Sequence, residues 1–185
     1  MQPNKLFDEL IAETLKIGVN SATVIEADEI ITDNRFRKMC EDNFCGVYGK
    51  CWMCPPDIGE ISVLMAKIRE FKYALVYQNV FQLEDSFDVE GMWDAQKQHF
   101  NVTQKIRTYF KDININNALC LSAGGCGACD TCAKRENLPC KHPELAVSSL
   151  EAYGVDVAAL AKSSNMKYIN GSNTVTYFGI VLFNY

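Results

Sequence analysis

The sequence predicts an α+β fold: a mostly antiparallel sheet of about four strands, with helices packed on it and cysteine-rich metal-binding loops between the elements. Three observations point there. Apolar residues at helical spacing alternate along the chain with short β-branched and aromatic runs. Eight of the nine cysteines fall into two groups of four outside those runs. A length of 185 residues with 48% hydrophobic and 22% charged content supports a single metal-binding domain, residues 1–185, with a sizeable core.

Phe7, Leu10, Ile11, Thr14 and Leu15 follow helical spacing and Gly18 is a natural stop, which predicts a helix over residues 4–17. Residues 21–31 read as a strand. Ile61, Leu64, Met65, Ile68 and Phe71 form a second helical stripe, and residues 73–81 are β-branched and aromatic enough for a buried strand. Trp93, Phe100, Thr103, Ile106 and Phe110 predict a longer helix over residues 90–112. Residues 118–123 are a third strand and 174–183 the last. Between them, Pro143 opens a helix running to Tyr153 with Gly154 as its cap, and Asp156 starts a second short helix. The helices are expected to cover one face of the sheet.

A net charge of -5 argues against nucleic acid, which needs a basic stripe along the phosphates. No stretch approaches the roughly 18 apolar residues of a membrane span. The start, MQPNKLFDELIAETLK, lacks the basic opening and apolar run of a signal peptide, which predicts a cytoplasmic protein. In that reducing compartment, thiols are kept for metal rather than for a disulfide framework, and an odd cysteine count agrees.

Cys126, Cys129 and Cys132 have C-x2-C-x2-C spacing, by which one loop wraps three corners of a 4Fe-4S cubane while a more distant residue, here Cys140, closes the fourth. Gly124, Gly125 and Gly127 let the backbone approach and aim amides at the sulfurs. Four thiolates also suit structural zinc, although zinc knuckles usually present two separated C-x2-C pairs. The first group, Cys40, Cys45, Cys51 and Cys54, is looser and suits either metal. Cys54-Pro55 resembles the end of ferredoxin-type runs, where the last thiolate serves the other cluster, so ligands shared across the groups stay open. Tyr48 and Trp52 are placed to shield a cluster or simply to pack.

Arg37 with Cys40, the run Cys45-Gly46-Val47-Tyr48-Gly49, Cys54-Pro55-Pro56, the Gly124 to Cys132 run, Cys140 to Glu144, and Ser149 to Val157 together resemble a short prokaryotic family of predicted metal-binding proteins of unknown function. The likeness covers nearly the whole chain. It implies two cysteine-rich metal sites of iron-sulfur type and no particular reaction. It also implies no ligand role for Cys120, which lies in the apolar run 118–121 and reads as a small buried hydrophobe.

His142, next to Pro143, is a candidate partner of a cluster sulfur but better suits the start of a helix, and His99 reads as a surface or satisfied core residue. Glu144 and Glu151 would lie on the helix after the cluster loop. No Walker loop, dinucleotide-binding glycine pattern or hydrolase signature is present, and whether the chain is an enzyme stays open. Cys51 and Cys54 as a dithiol redox pair are disfavoured by the extended Pro55-Pro56 that follows. The function expected is a carrier of two 4Fe-4S clusters in cytoplasmic electron transfer, docking its acidic surface on a redox partner protein. The alternatives are a zinc-stabilised interaction module and an enzyme with one functional iron-sulfur cluster.

Overall fold

The computed structural model describes residues 3–185. Four strands form one antiparallel sheet in the order β1-β2-β4-β3, with β1 Ser21–Glu26, β2 Tyr73–Gln82, β3 Ala118–Ser122 and β4 Thr174–Phe183. The helices are α1 Pro3–Ile17, α2 Arg35–Glu41, α3 Ile61–Ile68, α4 Val89–Asp112 and α5 Val157–Ser163. β2 and β4 pair over ten residues, from Tyr73 opposite Phe183 to Gln82 opposite Thr174.

Apolar side chains leave both faces of these central strands. Ala74, Val76, Phe178, Ile180 and Leu182 meet α3, α5 and the segment around Leu150 to Val155. Leu75, Tyr77, Val181 and Phe183 meet Leu6 and Leu10 of α1 and Ile106 and Phe110 of α4. Helices therefore cover both faces, not one, because strands apolar at consecutive positions have two faces to bury.

The first strand ends at Glu26 rather than Ile31. Ala27–Glu29 form a 3-10 turn in which the Glu26 amide donates to Glu29 Oε1 at 3.0 Å, and the chain leaves the sheet there. The expected helix from Pro143 to Tyr153 is absent. Residues 143–145 make a turn, Ser148 forms a parallel bridge with Leu121, the Ser122 amide donates to Ser148 O at 3.0 Å, and only Glu151–Tyr153 coil, as a 3-10 turn. Pairing with the β3 edge holds this segment extended. Gly154 does cap the turn, at φ +75°, and Asp156 caps α5 by accepting from the Ala159 amide at 2.9 Å.

Candidate metal centre

The first cysteine group starts on a helix that the sequence pattern did not predict. Cys40 lies in the last turn of α2, and Asn43, at φ +56°, reverses the chain ahead of Cys45. The Tyr48 amide donates to Asn43 Oδ1 at 3.0 Å and the Gly49 amide to Pro55 O at 2.9 Å, folding the loop back toward Cys54. The Cys54 amide donates to Cys51 O at 3.0 Å, and in this tight turn both cysteines are buried.

The second group leaves the end of β3, and α4 seats it. The Gln96 amide donates to the Gly124 carbonyl, and Phe100 packs so closely on Gly127 that a β-carbon there would displace the ring. Gly124 and Gly125 take φ of +86° and +80°, a turn open to glycine. A β-carbon on Gly125 would lie 4.0 Å from Cys54 Sγ, so this turn passes directly over the first group. Beyond Cys132, the 3-10 turn Ala133–Glu136 ends in Asn137 at φ +55°, which sends the chain on to Cys140.

Side chains tie the two segments together. Trp52 Nε1 donates to Leu138 O at 2.9 Å, Lys134 Nζ lies 4.2 Å above the Trp52 ring, and Ser148 Oγ donates to Met53 O at 3.0 Å. Cys51 consequently meets Cys126 of the other group, thiol to thiol, while also hydrogen-bonding Cys54. Cys129 sits in the electrostatic field of Cys126, Cys132 and Cys140. Cys40, Cys45 and Cys54 line a cavity of about 640 Å³ with Gly124, Gly125 and Glu151. Among the described residues, no three Cys, His, Asp or Glu side chains gather tightly enough to hold a single metal ion.

The thiols of Cys40, Cys51, Cys126 and Cys129 are held toward their neutral form. The Cys51 thiol is pushed up to about 12: its hydrogen bond with Cys126 pulls it down, but that with Cys54 and burial together outweigh it. Cys126 is raised by its hydrogen bond with Cys51 and by burial, and Cys40 by burial, against the nearby Arg37 guanidinium. Arg37 Nη2 donates to Gly59 O at 2.6 Å, while its Nε is buried without a partner. Burial also raises the Glu151 carboxyl, opposed by its own amide and the Ser149 hydroxyl.

The other singled-out residues lie apart or play plainer parts. Cys120 is partly buried on the α1 and α4 face, bonded to the Tyr77 hydroxyl and pushed up to about 12 by burial. His99 is fully buried on α4, with Nδ1 2.8 Å from Asn79 Oδ1 and Nε2 3.2 Å from Phe178 O. The half-exposed His142 lies 3.8 Å from Glu144, on a turn and not on a helix, and Glu151 opens the 3-10 turn instead of continuing one. Tyr48 lines the cavity; Trp52 clamps the loops. Sequence patterning missed the supporting Gln96, Lys134 and Ser148, and Asp57, which pairs with Lys134. Gln96 was within reach, since it lies four residues before Phe100 on the predicted helix and so shares its face.

No helix among the described residues is long and apolar enough to cross a membrane. Comparison with curated proteins and with solved structures gave no match. The family model described as "Predicted metal-binding protein (DUF2284)" matches residues 23–183, which takes in both cysteine groups and all four strands except the first two residues of β1. The chain belongs to this family of predicted metal-binding proteins.

Proposed function

We propose that the protein carries two 4Fe-4S clusters on Cys40, Cys45, Cys51, Cys54, Cys126, Cys129, Cys132 and Cys140, and passes single electrons to or from a partner protein. The observation that carries this reading is the contact of Cys51 with Cys126, which places two thiol-rich loops side by side. Adjacent centres exchange electrons readily, and a pair of clusters gives a path from one surface to another. Two features suit an iron-sulfur group. The donor set is all sulfur, and Arg37 offers a buried, unpartnered N–H beside Cys40, which fits an anionic neighbour. Bound there, the clusters would supply reversible one-electron chemistry, tuned by burial and by amide and guanidinium hydrogen bonds.

Cys40, Cys45 and Cys54 spread around a cavity, as suits a group whose corners each take one sulfur. Zinc draws four sulfurs to about 2.3 Å from a single point. The experiment is iron, acid-labile sulfide and zinc per chain on protein purified without oxygen. About eight iron and eight sulfide are expected for two cubanes. About two zinc without sulfide would replace this reading with that of a zinc-stabilised interaction module. The enzyme reading has one observation in its favour, the cavity against the first cysteine group.

A further inference from the structure

Three thiols, not four, face that cavity. Cys40, Cys45 and Cys54 line it, whereas Cys51 does not, and its buried thiol hydrogen-bonds Cys126. The wall supplied by Val157, Ala158 and Tyr168 offers no thiol or imidazole. Asp156, at its edge, is engaged in capping α5. Phe36, Phe44 and Tyr48 make the remaining surface largely apolar and aromatic, with the Glu151 carboxyl as its main polar group. A volume of about 640 Å³ falls within the range of small-molecule sites.

We propose that Cys40, Cys45 and Cys54 form a three-thiolate centre whose fourth coordination position opens into this cavity and takes a small organic ligand. The ligand presents an oxygen or nitrogen lone pair to that position, lays a flat apolar body against Phe44, Tyr48 and Tyr168, and donates a hydrogen bond to Glu151. Cys51 stands outside this centre, as a member of or link to the second. The proposal rests on the iron-sulfur reading and adds a site of ligand chemistry to it.

Imidazole is a suitable probe, with a lone pair at one end, an N–H at the other and a flat ring between. The test is electron paramagnetic resonance of the reduced, cluster-loaded protein with increasing imidazole. One of two cluster signals should shift saturably while the other stays fixed. Cys45→Ser should remove the responsive signal and keep the other, which also reports that the variant has folded. Cys51→Ser should retain the imidazole response. Glu151→Gln should keep the cluster signal and weaken imidazole binding about tenfold, in line with loss of a charge-assisted hydrogen bond. Two clusters present with neither signal shifting would overturn the proposal, as would loss of the response in Cys51→Ser, which would make Cys51 one of the thiols that hold the responsive centre. Absence of iron and sulfide, seen before imidazole is added, would instead remove the iron-sulfur reading itself.

Discussion

Lys134 pairs with Asp57 at 2.5 Å, joining the segment after Cys132 to the loop after Cys54, and each side chain is only 15% exposed. Such an interior pair is costly to break on one side, because the surviving charge loses its partner while remaining partly out of water. Asp57→Asn is expected to lower stability by about 2 kcal/mol, somewhat less than a fully buried pair would cost. Urea denaturation checks this, and a double-mutant cycle with Lys134→Met should show the two losses to be non-additive. Because the pair clamps both cysteine segments, iron content should fall as well.

Gly179 lies opposite Tyr77 in the β2 and β4 register, and an added β-carbon there would overlap the Tyr77 ring. The ring cannot step aside, being fully buried with its hydroxyl 2.8 Å from Thr103 Oγ1. Gly179→Ala should therefore cost about 3 kcal/mol, the upper end of overpacking losses. Thermal denaturation measures it, and Tyr77→Leu in the same chain should recover part of the loss by vacating the space.

Burial holds the His99 ring down to about 4 from the ordinary 6.5, against the Phe178 carbonyl, which favours the charged form. Between those values the unfolded chain binds a proton that the folded chain does not, so stability rises with pH across this window. It should be full above pH 6.5 and fall toward pH 4, by roughly 3 kcal/mol in total. Denaturation at a series of pH values should give this slope in the native chain and a flatter one in His99→Gln. Asn79 Nδ2 donates to Gly18 O, so Asn79 turns its oxygen to His99 and both ring nitrogens face acceptors. Equal slopes would mean that these two acceptors keep the ring charged despite its burial.

Cys129→Ser should lower bound iron and bleach part of the visible absorption. Cys120→Ser should leave metal content nearly unchanged, since Cys120 packs with Tyr77 on the opposite side of the sheet from the cavity. Metal analysis and absorption spectra of the two variants make the comparison, and equal losses would contradict this assignment of the sulfurs.

The strands β2 and β4 were legible because their apolar runs fix a buried conformation locally, and α4 because its stripe runs on through Phe100, Thr103, Ile106 and Phe110. Local pattern failed where a distant partner decides. Nothing near Ser148 announces that its carbonyl accepts from Ser122, so Pro143 suggested a helix that β3 prevents. Spacing groups the cysteines four and four along the chain and leaves ligands shared across the groups open; the Cys51 to Cys126 contact depends on Trp52, Ser148 and Lys134 closing the two segments from far apart in the chain.

β4 lies between β2 and β3, yet of these four strands it is the last to be made. During synthesis, β3 has no sheet to join until residues 174–183 leave the ribosome, because its pairing partner is β4. Both cysteine segments are thus translated well before the scaffold that aligns them. A chain stalled ahead of Thr174 would therefore present its thiols as loose, separately reactive groups, and the two cysteine segments would face one another only once synthesis has passed Phe183.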